Sequence, residues 1–197
     1  YLGMKAATKF VYGNDSLEGK KIALQGIGKV GAKLIEYLVK ENANIYVNDI
    51  NADRLKSVVD KYEVKTFKNS ELYSMGLDIF SPCALGGILN SESIKKLNCK
   101  IIAGAANNQL ENDKIHDIEL KERNIVYVPD FLINSGGIIS VYHEQIQDLS
   151  KEKVFSVTEN IYSKVEDVLN LSSKNNISTN ASAMKIALDR IDRNKKK

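Results

Sequence analysis

The feature that most constrains this chain is Gly26-Ile27-Gly28-Lys29-Val30-Gly31, a G-x-G-x-x-G set between two segments of different periodicity. Before it, Lys20-Lys21-Ile22-Ala23-Leu24-Gln25 is a short apolar run of the kind that forms a buried strand. After it, Val30, Leu34, Ile35, Leu38 and Val39 recur at helical spacing, which predicts a helix over residues 29–41. A strand that turns through glycines into a helix is the setting in which this motif holds a dinucleotide. Gly26 permits the tight turn. Gly28, without a Cβ, lets a pyrophosphate reach the backbone. Gly31 lets the helix lie close to the strand. The helix N-terminus adds unpaired N–H groups and a partial positive charge.

Such a site also needs an acid about 20 residues further on, at the end of the second strand. Asp49 holds that place, after Ile45-Tyr46-Val47-Asn48. Its carboxylate would accept from both hydroxyls of an adenine ribose and repel a 2′-phosphate, so NAD is the expected coenzyme. The plainer alternative for Asp49 is a cap or turn residue. Arg54, a turn into the next helix, is expected in solvent, with a phosphate partner as the alternative.

Beyond this unit, helical spacing runs over residues 52–62, 91–97 and 112–123, with Ser91 as the expected N-cap of the second. Strands are expected at 77–80, 100–103 and 125–128. Strand–helix alternation with short connections defines an α/β chain: a Rossmann-type, doubly wound, mostly parallel sheet with helices on its faces. The ends differ. Residues 1–12 read as a helix stopped by Gly13, and residues 136–149, 151–173 and 179–192 as helices with no strand among them. In the long middle one Val154, Val157, Ile161, Val165, Val168 and Leu169 make an apolar face, for the sheet or for a partner. A single domain is expected: entry helix 1–13, core 14–135, helical segment 136–197.

Composition closes off other classes. The 197 residues are 43% hydrophobic and 27% charged, which excludes disorder. No apolar run reaches the roughly 18 residues of a membrane span. Residues 1–13 lack the basic head and apolar block of a secretion signal. The net charge of +3 is matched by the tail Lys195-Lys196-Lys197, so no basic face for nucleic acid is expected. Cys83 and Cys99 make neither a disulfide framework nor metal spacing and read as reduced thiols in a cytoplasm. His116 and His143 stand apart and are expected to be surface or packing residues, with a charge-relay or metal role for His143 as the alternative. The nucleophile elbow Gly-x-Ser-x-Gly is absent.

Three segments follow strands at the expected carboxyl edge of the sheet: Ser81-Pro82-Cys83-Ala84-Leu85-Gly86-Gly87, Gly104-Ala105-Ala106-Asn107-Asn108-Gln109, and residues 129–138. With Gly26–Gly31 and Val47–Asn51, they resemble the glutamate/leucine/phenylalanine/valine dehydrogenase family over nearly the whole chain. The resemblance implies the family's coenzyme-binding domain. Gly26, Ile27, Gly28, Lys29, Val30, Gly31 and Ala32 would hold the pyrophosphate of NAD, with Asp49 and Ile50 at the adenosine. Cys83 and Ala84 would line the cleft near the riboses, Asn108 would stand by the nicotinamide and the amino acid, and Ala105 and Asn107 would complete the coenzyme contacts. Asn108, Ile138 and Val141 would meet an aliphatic amino-acid side chain; simple helix packing is the alternative for the last two.

The implied activity is reversible NAD-dependent oxidative deamination of leucine or another branched-chain L-amino acid to its 2-oxo acid, by an oligomeric enzyme. The family's chemistry uses two lysines and an aspartate of a preceding domain. No residue of this chain matches them, so no catalytic residue is expected here and the chain alone is expected to be inactive. Two other readings stay open: a nucleotide-binding module without activity, and a glutamate-type dehydrogenase. The latter needs a cation in the pocket, and Ile138, Ile139 and Val141 supply none.

Overall fold

The computed structural model describes residues 1–146 and 150–195. Helix α1 (Leu2–Tyr12) ends at Gly13, whose φ of 81° makes the left-handed C-cap. Strand β1 (Lys21–Gln25) follows, buried through its centre, and turns into α2 (Lys29–Lys40). Then come β2 (Asn44–Asn48), α3 (Ala52–Lys61), β3 (Lys65–Thr66), a 3₁₀ turn at Leu72–Ser74, and β4 (Leu77–Pro82). Helix α4 (Ser91–Lys96), β5 (Cys99–Ile102), α5 (Asp113–Glu122) and β6 (Val126–Tyr127) complete the core. Four helices close the chain: α6 (Asp130–Ile133), α7 (Gly136–Gln145), α8 (Lys151–Asn175) and α9 (Thr179–Lys195).

The six strands form one sheet in the order β3-β2-β1-β4-β5-β6, and every pairing is parallel. This is the doubly wound order, with the switch point between β1 and β4. Register follows from burial on both faces, which demands apolar residues along the whole strand. Ile22 stands opposite Ile45 on one side and Ile79 on the other.

Alternate strand residues feed two cores. Ile22, Leu24, Val47, Ile79 and Ile101 pack with Met4 and Ala7 of α1, Leu34, Ile35 and Leu38 of α2, and Ile161, Val165 and Leu169 of α8. Ala23, Phe80, Ile102 and Tyr127 pack with Leu72, Ile94 of α4 and Leu120 of α5 on the opposite face. The apolar face of α8 is therefore a core face: its latter half is buried, against α1 and the sheet, while Val154 and Val157 are only partly covered. Helix α9 lies against α8, α5 and the edge strand β6.

Several expectations change. The N-cap of α4 is Asn90, not Ser91: its side chain accepts from the Ser93 N–H at 3.0 Å, and the Ser93 hydroxyl accepts from the Asn90 N–H at 2.9 Å. The helix expected over 136–149 is described to Gln145; residues 147–149 lie outside the described residues, as do Lys196 and Lys197 of the tail. Strand β3, the 3₁₀ turn and α6 are additions. Cys83 and Cys99 are both free thiols. No helix among the described residues is long and apolar enough to cross a membrane.

Candidate coenzyme site

The glycine turn lies at the carboxyl end of β1, where the order of connection reverses and a crevice opens. Its three glycines answer to different demands. Gly26 has φ 104°, and a Cβ there would stand 2.7 Å from the Cβ of Ala84. A Cβ on Gly31 would stand 2.1 Å from the carbonyl oxygen of Gly26. These two are required by the protein's own packing. Gly28 is not: its φ is −76°, and a Cβ built on it meets nothing within 4 Å. The space a side chain would occupy there is open. Gly28 is also the N-cap of α2, where no side chain caps the helix, so the first-turn N–H groups face the crevice entrance without an intrahelical partner. Lys29 and Val30 are exposed on that turn, while Ile27 and Ala32 are drawn into the core.

Asp49 closes the other side of the turn. One carboxylate oxygen accepts from the Ile27 N–H at 2.5 Å, and the other from the Asn51 N–H at 2.8 Å. Capping of α3 falls to Asn51, which accepts from the Arg54 N–H at 3.0 Å. Asp49 is thus not the cap of α3 but does make the turn that enters it, through Asn51; it also ties the end of β2 to the glycine turn, and each oxygen keeps a lone pair for a further donor. Ile50 beside it is 99% exposed, a bare apolar surface at the crevice lip. Arg54 is exposed.

The other loops meet this turn. Cys83 donates its N–H to the Gln25 carbonyl at 2.7 Å and lies half-buried, its Sγ 3.5 Å from the Ser81 Oγ. Burial pushes the Cys83 thiol above the usual range, so it stays protonated. Ala84 is exposed against Gly26. The chain leaving β5 crosses so near β4 that a Cβ on Gly104 would stand 2.2 Å from the Pro82 carbonyl oxygen. Asn108 sits in the left-handed region (φ 51°), and its carbonyl accepts from the Gly87 N–H at 2.7 Å. Asn107 accepts from the side-chain amide of Asn134 at 2.6 Å. Both asparagines are exposed.

A cavity of about 620 Å³ adjoins these loops, lined by Val30, Ala105, Asn107, Asn134, Gly136 and Phe155 among others. Ile138 and Val141 do not line it; they stand 67% and 46% exposed on α7. His116 is buried and accepts from the Asn112 N–H at 2.9 Å, a local cap of α5. His143 is buried with its ring edge-on to Tyr142. Among the described residues no three His, Cys, Asp or Glu side chains gather as metal ligands.

Sequence reasoning singled out neither Gln109 nor Asp130. Gln109 is fully buried, and its side chain donates to the carbonyls of Gly104 and Ala106 at 2.8 and 2.9 Å. Asp130 accepts from the Gln109 N–H at 3.3 Å. The available signal was position alone: a polar side chain in each loop at the sheet's carboxyl edge.

An all-parallel, doubly wound sheet with a glycine turn and a tethered acid at its switch point defines the class: an α/β domain of the doubly wound kind, with a crevice at that turn. The family model for glutamate/leucine/phenylalanine/valine dehydrogenase matches residues 46–197, and the chain belongs to that family. It is 42% identical over 193 residues to leucine dehydrogenase of Bacillus subtilis, covering 98% of this chain and 52% of that protein. It is 40% identical over 196 residues to L-tryptophan dehydrogenase of Nostoc punctiforme, covering 100% of this chain and 55% of that protein. The crystal structure of the Nostoc punctiforme enzyme superposes with a TM-score of 0.95 over 100% of this chain and 58% of that one. The chain spans about half the length of the curated relatives it matches.

Proposed function

We propose that this chain is the coenzyme-binding part of an NAD-dependent L-amino-acid dehydrogenase acting on leucine or another branched-chain amino acid. Residues 1–13 are its entry helix, 14–135 its nucleotide-binding core and 136–197 its closing helical segment. The observation that carries the reading is the open space over Gly28, beside two glycines whose space is filled and an acid already braced against the turn.

The residues present fit NAD. Gly26–Ala32 would receive the pyrophosphate on the N–H groups of α2. Asp49, whose two N–H partners leave lone pairs free, would accept from the ribose hydroxyls, with Ile50 offering apolar cover beside it. Cys83, Ala84, Ala105, Asn107 and Asn108 would orient the nicotinamide end. Bound NAD supplies the acceptor for hydride from the α-carbon of the amino acid. Ile138 and Val141 would then present an apolar surface to the substrate side chain. Helix α7 contains no lysine or arginine, so nothing on it would pair with a carboxylate side chain.

Titration calorimetry with NAD and NADP, joined to a substrate panel on the full-length protein, tests this. A hydrogen bond to a charged group contributes about 1.5–3 kcal/mol, so NAD should bind at least about tenfold more tightly than NADP. Leucine, isoleucine or valine should be oxidised faster than glutamate, phenylalanine or tryptophan. Equal affinity for both coenzymes would remove Asp49 from the site; faster turnover of an aromatic substrate would overturn the branched-chain assignment.

A further inference from the structure

The three loops of the crevice meet at Gln109. Its carbonyl accepts from the Leu89 N–H at 3.0 Å, and its N–H donates to Asp130 at 3.3 Å. Its side-chain Nε2 holds two carbonyls of its own loop, those of Gly104 and Ala106. The strand has ended at Ile102, so no ladder partner is available to those carbonyls. The side chain is fully buried, and among the described residues its Oε1 has no hydrogen-bond partner. Burying an amide with one unpaired oxygen is unfavourable, and a leucine would occupy a similar volume without that cost. The amide orientation is also forced: reversed, its oxygen would face two carbonyl oxygens. A side chain retained on those terms acts through its two donors.

We propose that Gln109 is a positioning residue, which clamps the Gly104–Ala106 turn and thereby sets Ala105, Asn107 and Asn108 for the nicotinamide end of the coenzyme. The clamp also fixes the neighbouring loops. Asn108, next to Gln109, receives the Gly87 N–H, and Asn107 receives the Asn134 amide. This assignment rests on the coenzyme reading above.

Gln109→Glu tests it, because the variant carries its own reversal. The ionised carboxylate has no hydrogen to donate and would face two carbonyl oxygens in a buried site. Burial and those oxygens raise its pKa above the usual glutamate value of about 4.3. Protonated, it donates one hydrogen and restores half the clamp. The clamp is therefore present below the raised pKa and lost as pH rises through it. NAD affinity is measured by calorimetry in wild type, Gln109→Glu and Gln109→Leu at about pH 5.5 and about pH 8, on either side of the expected transition. Amide exchange at Ala106 and Gln109 is followed in parallel.

The Glu variant should bind NAD within about threefold of wild type at the lower pH and about tenfold more weakly at the higher, with amide protection falling in step. The Leu variant should bind weakly at both. A merely structural glutamine would not move affinity and loop protection together, reversibly, within one folded preparation. Wild-type binding combined with a Glu variant indifferent to pH would overturn the assignment alone. Failure of the wild type to bind NAD would overturn it together with the coenzyme reading.

Discussion

Gly28 and Gly31 belong to one motif and one turn of helix, yet a side chain would meet opposite surroundings at the two positions. Gly31 lies against its own strand, and a methyl group there must displace the Gly26 carbonyl. Gly31→Ala should therefore lower stability by about 1–3 kcal/mol, the usual effect of overpacking. Gly28→Val adds a branched side chain into open space on an ordinary extended backbone. Its stability should fall only modestly, by about 1 kcal/mol, the usual effect of an apolar residue at a helix N-cap. Its NAD affinity should fall at least about tenfold, because the added methyl groups occupy the path of the phosphates. Thermal melts with calorimetry separate the two effects. A folded Gly28→Val protein with unchanged affinity would reduce the motif to a tight turn. Both glycines were legible as a motif, with Gly28 expected open and Gly31 expected close-packed; which atom Gly31 abuts, the Gly26 carbonyl, only the fold reveals.

At the scale of elements, Asp117 of α5 joins the helical segment to the core. It is buried, and its Oδ1 accepts from the Asn180 N–H at 3.5 Å, at the start of α9. Burial raises its carboxyl above the ordinary 3.8, an effect partly offset by hydrogen bonds from Ser178, Asn180 and Ala181. The sign follows directly: the folded state favours the protonated form, so Asp117 contributes most to stability below that ordinary value. The contribution is lost as pH rises through the elevated folded value. Asp117→Asn keeps an acceptor for Asn180 and removes the titration. Its melting temperature should rise relative to wild type as pH increases above 3.8. A difference that stays constant with pH would show that Asp117 does not titrate in this way.

Legibility differed among elements for physical reasons. The strands β1, β2, β4, β5 and β6 announce themselves because burial on both faces requires consecutive apolar residues. Strand β3 is two exposed residues, Lys65 and Thr66, and has no pattern to read. Helix α6 is four residues, too short for a period. Asn90 and Ser91 are both capping types, and only the reciprocal bond with Ser93 separates them. The role of Gln109 rests on contacts with Leu89 and Asp130, distant in sequence, which no local pattern carries.

For the whole molecule, coenzyme binding and catalysis should separate. A lysine acting as a base must be desolvated to lower its pKa. Lys9, Lys33 and Lys96 are instead held above the ordinary value by Glu166, Glu36 and Glu92 respectively. The 197-residue chain alone should therefore bind NAD yet form no NADH from leucine or any other amino acid. Turnover above a no-enzyme blank, in material free of host dehydrogenase, would place a catalytic group within these residues.

The two margins of the sheet bear on the protein's behaviour in a crowded solution. Strand β3 pairs with β2 only at Tyr46 and Val47 and presents an exposed lysine outward, too short a template for a foreign strand. At the other margin, β6 is two residues long, is followed by Pro129, and has α9 lying against it. Unpaired strand margins are where chains recruit one another into aggregates, and brevity, lysine, proline and a covering helix are the known deterrents. This sheet uses all four, and α9 is the one whose loss would leave the β6 margin open to intermolecular strand pairing.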